Sequence, residues 1–229
     1  MELLNAKMQE GKQYLLQSAA IRAIQSGELA PQHCAYLLGQ YKSYVDLFPI
    51  LLSIGLTKLE SDEARMPLVL NLWEEHGAGD PRRNHRALYA ALLEYIATST
   101  ATSGNALRST RGPAIERFRN QCKDALCQGD AYFAMGFLGP GTEEVTTALY
   151  TVLQHLLTPF GGAHIDTFFA LHCEADVEHA AMFRTAMSVL LGAGKTDGEQ
   201  RMCRGLEQAI NLEIDFWNSV LEEARLMSL

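Results

Sequence analysis

A stretch near residue 172 carries metal-ligating side chains at helical spacing. His172, Asp176 and His179 are related as i, i+4 and i+7, so on a helix they lie within about 60° of one face. Two imidazoles and a carboxylate held by one rigid helix suit Fe, Mn or Zn. The alternative is a solvated polar face with a chance pair of histidines, but the apolar neighbours Phe168 and Phe183 argue against it. The pattern indicates part of a metal site in a helical core.

One helix face cannot complete such a site, because a dinuclear carboxylate centre draws further ligands from facing helices. Glu74 and Glu75 precede a His-Gly-Ala-Gly stretch that leads to His85, and Glu143 and Glu144 follow a Gly-Pro-Gly turn. On the residues alone, each glutamate pair is better explained as an exposed helix end or as acids that favour the positive end of a helix dipole. The residues therefore leave both interpretations open, as metal ligands and as helix-end acids.

The elements that must position these residues are helical almost throughout. Leu, Ala, Glu, Gln and Met dominate over alternating runs of Val, Ile and Thr, and Gly or Pro breakers separate long segments. We therefore predict an all-α fold, a bundle of about seven to eight helices, with residues 99–110 as a surface loop. The predicted helices cover residues 1–26, 31–57 with a kink at Pro49, 61–76, the segment from Pro81 to 98, 113–128, 130–158, 161–193 and 197–227.

Length and charge narrow the classes of function. The 229 residues show neither an internal repeat nor a linker, which suits a single domain over 1–229. The net charge of −8, from 19 basic and 27 acidic residues, argues against nucleic acid as the main partner. The five cysteines include no CxxC pair, so we expect free thiols in a reducing compartment. We see no signal-peptide pattern and no apolar run of the ~18–20 residues that span a membrane, and expect a cytoplasmic protein.

The opening helices resemble those of the haem-oxygenase-like superfamily. The likeness is carried by residues 20–31, AIRAIQSGELAP, and by residues 36–49, YLLGQYKSYVDLFP. In length and helix order the whole chain is similar to the non-haem branch, the haem-oxygenase-like diiron oxidases and oxygenases, which resemble thiaminase-like and pyrroloquinoline-quinone-synthase-like proteins in fold. The ligand motifs of that branch match this sequence at Glu75 and His85, at Glu143, and at His172, Asp176 and His179.

The resemblance implies a non-haem diiron enzyme. The six matched residues would hold two ferrous ions, with O2 as co-substrate. The position directly before His-Gly-Ala-Gly favours Glu75 over Glu74, and the distance to Tyr150 favours Glu143 over Glu144. Haem is not expected, because the first helix lacks the histidine that the haem enzymes of this fold use.

The resemblance implies a substrate that is a small metabolite of a biosynthetic pathway. Amino-acid-derived compounds are one expected class. N-oxygenating relatives add a glutamate from an earlier helix, and this chain offers only Asp46 near that region. Arg82, Arg83 and Arg86 lie beside His85 and are candidate anchors for a substrate carboxylate, although a solvated basic patch is the simpler explanation for them. We expect the pocket between the second helix and the metal helices. Its candidate lining residues, for each of which core packing is the alternative, are Tyr41, Tyr44, Phe48, Trp73, Tyr132 and Phe133.

Two other functions fit the same fold. A thiaminase-like enzyme would depend on a catalytic cysteine, for which Cys34, Cys127 and Cys173 are available without a matching motif. A helical protein that binds metal without catalysis is the other alternative. For partners we expect a small molecule, no nucleic acid and no membrane, with a homodimer as one possible assembly.

Overall fold

The chain folds as an all-α helical bundle, which confirms the predicted fold class. The computed structural model describes residues 1–99, 111–166, 168–192 and 197–227, without the side chains of residues 99, 163, 164 and 173–177. These ranges contain no β-strand. The α-helices are α1 Glu2–Leu16, α2 Ala19–Gln25, α3 Pro31–Val45, α4 Phe48–Leu56, α5 Asp62–Glu75, α6 His85–Ser99, α7 Pro113–Gln128, α8 Ala131–Leu138, α9 Glu144–Leu153, α10 Phe168–Gly192 and α11 Gly198–Leu226.

The first two predicted helices are each divided in two. After α1 ends, Oδ1 of Asn218 in α11 accepts the backbone N–H of Ala20 at 2.9 Å and holds the start of α2. The predicted helix over 31–57 breaks before Phe48, because Pro49 lies in the first turn of α4. A proline at that position loses no helical hydrogen bond. Pro49 therefore starts a new helix and does not kink a continuous one.

The predicted helix over 130–158 also has several parts. Asp130 caps α8 by accepting the backbone N–H of Phe133 at 3.0 Å. A π-helical turn over Gly139–Glu143 then joins α8 to α9, and a 3-10 helix over Gln154–Phe160 follows α9. This turn brings Glu143 into the interior, as described below.

The predicted helix over 161–193 begins later than expected. A 3-10 helix covers Gly162–Ile165, and α10 starts at Phe168. Asp166 caps α10, since its Oδ1 accepts the backbone N–H of Phe169 at 2.9 Å. The predicted loop over 99–110 lies outside the described residues, apart from Ser99, which ends α6.

Helix α11 is the central element of the bundle and packs against α1, α2, α3, α7 and α8. Its contact with α8 requires glycine on both helices. A Cβ atom at Gly205 would overlap the carbonyl of Phe133, and a Cβ atom at Gly136 would overlap the carbonyl of Met202. The two helices therefore touch backbone to backbone, which fixes the position of α8 and of the π-helical turn that follows it.

An aromatic core connects α11 to the helices around the candidate site. Tyr41 of α3 stacks on Trp217 of α11, with ring centroids 5.4 Å apart. Tyr150 of α9 is edge-on to Phe168 of α10 at 6.0 Å, and Phe168 is 4.1 Å from the ring of His172. The histidine thus lies against the packed core, where its orientation is fixed by its neighbours.

Cys34, Cys122, Cys127 and Cys203 are free thiols, and the side chain of Cys173 lies outside the described part of the structure. Over the described ranges, the helices are either too short or too polar to cross a lipid bilayer.

Candidate metal centre

Three buried side chains from three helices meet in the interior of the bundle. Glu75 ends α5, His85 begins α6, and His172 lies in α10. Nδ1 of His85 is 2.9 Å from Oε1 of Glu75 and 2.9 Å from Nε2 of His172. One potential ligand atom of each residue lies within 4.8 Å of the other two. We call these residues the Glu-His-His cluster.

A tight turn brings Glu75 and His85 together. Gly77, Ala78 and Gly79 follow Glu75 with φ values of 90°, 51° and 91°, in the left-handed region that favours glycine. A Cβ atom at Gly77 would overlap the carbonyl of Asp80. The His-Gly-Ala-Gly stretch noted in the sequence is therefore the turn that returns the chain to the end of α5.

The backbone sets the tautomer of His172. Its Nδ1 lies 2.7 Å from the carbonyl oxygen of Phe168, one turn earlier in α10. A carbonyl can only accept, so Nδ1 carries the proton and Nε2 presents a lone pair to the cluster. Burial, and then the proximity of His85, lowers the pKa of His172 to about 4. At neutral pH the ring is therefore uncharged and available as a ligand.

The π-helical turn directs Glu143 toward the cluster region. Such turns occur often at functional sites, because the extra residue changes which side chains face inward. Glu143 is buried, and its Oε1 accepts a hydrogen bond from Nδ2 of Asn71 in α5. Asn71 lies four residues before Glu75 on the same face of α5. This face therefore carries Glu75 itself and the residue that donates to Glu143.

His179 joins Glu143 to Glu74. Nε2 of His179 is 2.7 Å from Oε2 of Glu74, and Nδ1 is 3.7 Å from Oε2 of Glu143. Burial alone lowers the pKa of His179, but the hydrogen bonds with Glu143 and Glu74 raise it to about 9. Without a metal ion the ring is therefore an imidazolium at neutral pH, and an ion that bound one of its nitrogens would displace a proton.

The remaining two candidates have different positions. The guanidinium of Arg184 donates to both carboxylate oxygens of Glu144, at 3.1 and 2.5 Å. Glu144 is thus held by an arginine and faces away from the cluster. The backbone of Asp176 lies in α10 between His172 and His179, and its side chain lies outside the described part of the structure.

The residues present fit an iron site. Two buried imidazoles and a buried carboxylate form a mixed N and O donor set of the kind that Fe(II) binds. Oδ1 of Asn71 is buried beside Glu143 and has no hydrogen-bond partner within the described ranges. An unpaired buried acceptor needs an occupant that satisfies it, such as an ion or water.

A small cavity adjoins the cluster. Its volume is about 30 Å³, room for about two water molecules. Glu75, Glu143 and His172 form its most polar wall, and the predicted pocket residues Tyr41, Tyr44 and Phe48 contribute to the rest. The other lining residues are Val45, Thr142, Thr146, Tyr150 and Phe168.

The other predicted pocket residues do not line this cavity. The side chain of Trp73 is 55% exposed on the outer face of α5, and the hydroxyl of Tyr132 donates to the carbonyl of Leu190 at 3.0 Å. Phe133 packs against Phe137 instead of lining the cavity. Trp73, Tyr132 and Phe133 therefore lie on faces of their helices that do not line the cavity.

The arginines also lie elsewhere. The side chain of Arg82 is 89% exposed and forms an ion pair with Asp80 at 2.9 Å. Neither Arg83 nor Arg86 lines the cavity. These three arginines therefore do not line the cavity, where an anchor for a substrate carboxylate would lie.

Sequence reasoning did not select Asn71 or the further lining residues Val45, Thr142, Thr146, Tyr150 and Phe168. Asn71 could have been found from its i−4 spacing to Glu75. Thr142 directly precedes Glu143, Thr146 follows it by three residues, and Phe168 precedes His172 by one turn. Threonine and phenylalanine at such positions usually signal packing, so their spacing alone gave no reason to choose them.

Several solved structures share this fold at low sequence identity. A CADD-like protein of unknown function from Nostoc punctiforme superposes with a TM-score of 0.78 and 16% identity, over 98% of this chain and 99% of that one. A TenA homologue from Pseudomonas syringae gives 0.74 and 14%, over 96% and 92%. A domain of unknown function with a haem oxygenase-like fold from Shewanella denitrificans gives 0.73 and 15%, over 98% and 93%. These likenesses establish the fold.

The search of curated proteins finds no match for this chain. A family model described as iron-containing redox enzyme matches residues 35–214. That range includes the Glu-His-His cluster, Glu143 and His179 as well as the cavity. The chain therefore belongs to this family of iron-containing redox enzymes.

Proposed function

We propose that this protein is an O2-dependent non-haem diiron oxidase or oxygenase that acts on a small metabolite. The observation that carries the proposal is the Glu-His-His cluster, whose ligand atoms converge from three helices within 4.8 Å of one another. Membership of an iron-containing redox family supports iron as the metal. The resemblance of the ligand motifs supports two ions and O2.

Each ion would have its own set of residues. Glu75, His85 and His172 would hold the first ion. Glu143 and His179 would hold the second, with Asp176 as the third ligand that the resemblance implies. Bound iron would supply the electrons and the open coordination positions that reduction of O2 requires.

The chain's own residues prepare this centre. The carbonyl of Phe168 fixes the ring of His172, the carboxylate of Glu74 accepts from His179, and Asn71 donates to Glu143. Such partners orient ligands and set their basicity. The aromatic wall of the cavity keeps bulk water away and positions a substrate beside the ligands.

The thiol-dependent alternative has less support. Burial raises the pKa of the Cys34 thiol to about 11, and burial also raises the pKa of Cys122. Neither thiol is an activated nucleophile, since such cysteines have a lowered pKa. None of the four described cysteines lines the cavity.

The proposal is tested by loading the purified full chain with Fe(II) without oxygen. We expect two irons per chain by metal analysis and, on admitting O2, oxygen uptake with a transient visible absorption. Replacing His172 with alanine removes the lone pair at Nε2, so H172A should bind one iron fewer.

The matched control is H33A, which removes a histidine from the first turn of α3, outside the cluster. It should keep the full iron content. Less than one iron per wild-type chain, or iron that takes up no oxygen with any substrate, would refute the proposal.

A further inference from the structure

The outward face of α5 is apolar. Met66, Val69, Leu70 and Trp73 follow one another at helical spacings along this helix, so they share a sector of about 100°. Each of the four is between 39% and 55% exposed. A surface helix of a globular protein normally carries polar residues on this face. We call these four residues the α5 stripe.

The stripe is not needed to pack this chain, because the opposite face of α5 already closes the core. Leu68, Asn71 and Glu75 are the buried residues there, about half a turn away from the stripe. The stripe therefore leaves about 350 Å² of apolar side chain in water, an area at which an exposed patch marks an interaction site.

The order of the side chains along the stripe fits a second copy of this chain. Met66 lies three residues before Val69, and Trp73 lies three residues after Leu70, so the stripe is symmetric about its middle. A two-fold axis at that point would pack two antiparallel copies of α5 against each other. Trp73 of each copy would then cover Met66 of the other, a favourable contact between sulfur and an aromatic ring.

The charges at the ends of α5 favour the antiparallel arrangement. Asp62 begins the helix, and its side chain is 97% exposed. Arg83 is exposed in the 3-10 turn that follows the helix. In an antiparallel pair the acidic start of one helix lies beside the basic end of the other, whereas in a parallel pair like charges would meet. Glu74, at the edge of the stripe, is already paired with His179.

We propose that the α5 stripe is the interface of a symmetric homodimer, in which α5 of each copy packs antiparallel on α5 of the other. A stable interface buries about 800 Å² of each partner, and about 60% of that area is apolar. The stripe supplies most of this apolar part, and the charged ends of α5 supply a polar rim. The proposal is independent of the proposed function, because it concerns the face of α5 that points away from the metal centre.

The experiment measures the mass of the full chain by analytical ultracentrifugation over a wide range of protein concentration. We expect the mass to rise with concentration from 25.3 kDa toward twice that value. Tryptophan emission gives a second measurement. Trp217 is completely buried, so a red shift of the emission on dilution reports the exposure of Trp73 as the dimer separates.

Lysine at Leu70 should separate the dimer, because in a symmetric pair this residue faces its own copy. We expect L70K to raise the dissociation constant at least about 30-fold, the effect of losing a central interface residue. L70E should do the same. An equimolar mixture of L70K and L70E should contain more dimer than either variant alone, since opposite charges then meet at the axis. Circular dichroism confirms that both variants remain folded.

The matched control is Y14K, which introduces the same charge at an exposed tyrosine of α1, outside the stripe. It should form dimers as the wild type does. A wild-type chain that stays monomeric at every concentration, or an L70K dimer as tight as that of the wild type, would overturn the proposal. A mixture of L70K and L70E with no more dimer than its components would also overturn it. So would a monomeric chain whose Trp73 emission shifts to the blue on phosphatidylcholine vesicles, because the stripe would then bind a membrane.

Discussion

Adjacent glutamates at the end of α5 have different partners because successive residues on a helix point about 100° apart. Glu75 faces His85 in the interior, and Glu74 reaches His179 from a position where its side chain is 40% exposed. The sequence offered both acids as candidate ligands, and the position directly before His-Gly-Ala-Gly favoured Glu75. It could not reveal that Glu74 supports a histidine, because His179 lies 105 residues away.

Substitution of these two glutamates should have different effects on metal content. E75Q removes a carboxylate of the Glu-His-His cluster, so we expect one iron fewer per chain. E74Q removes the negative charge beside His179 but not a residue of the cluster, so it should keep both ions, with the affinity for one of them about 10–100-fold weaker. Anaerobic iron titration of both variants measures this, and an E75Q chain with full iron content would contradict the assignment.

Asn71 should matter for the second ion although it is not a candidate ligand. N71A removes the hydrogen bond that orients Glu143, and we expect that ion to bind about 10–100-fold more weakly. The first ion should be retained. Site-resolved titration with spectroscopic detection of each iron tests this, with H33A as the unaffected control. If both ions bound equally more weakly, the cause would be a general packing defect instead.

At the scale of the element, the helical pattern predicted where helices exist but not where they break. The boundaries of α7 at Pro113 and Gln128 agree with the prediction. The start of α2 depends on a partner distant in sequence, Asn218, which local propensity does not contain. The break after α8 falls at the Gly-Pro-Gly sequence of residues 139–141, a local signal. The continuous helices predicted over 1–26 and 130–158 were therefore wrong for different reasons.

The backbone contact between α8 and α11 should make Gly205 intolerant of a side chain. In G205A the new Cβ meets backbone atoms of α8, which cannot rotate away, so we expect a loss of more than about 3 kcal/mol of unfolding free energy. The control is G192A at the end of α10, where a Cβ meets nothing within 4 Å. It should be neutral or slightly stabilising. Urea unfolding of both variants followed by circular dichroism compares them, and equal stabilities would contradict the prediction.

At the scale of the whole molecule, one buried acid affects how stability depends on pH. Burial raises the pKa of Glu213 from 4.5 to about 7, against the smaller opposing effect of its hydrogen bonds with Trp217 and Tyr44. Between these two values the folded chain binds more protons than the unfolded chain, so this residue makes stability fall as pH rises. Its stabilising effect is complete below about pH 4.5.

E213Q should therefore gain stability relative to the wild type as the pH rises. A glutamine does not ionise, so the difference in unfolding free energy between the two chains should move by about 3 kcal/mol in favour of E213Q between about pH 5 and pH 8. Urea unfolding at both pH values, with equal m-values as the check on two-state behaviour, measures it. A constant difference would show that Glu213 does not titrate in this range.

The π-helical turn over Gly139–Glu143 has a consequence for how this centre can change during evolution. Loss of a single codon within the turn would restore an ordinary α-helix and advance the following residues by one place. Glu144, Thr147 and Thr151 would then take the places of Glu143, Thr146 and Tyr150. The carboxylate and the threonine would survive such a deletion, while a small side chain would replace the tyrosine ring. One frame-preserving deletion would thus keep a carboxylate and a threonine at these positions and exchange the aromatic ring at the third for a small side chain.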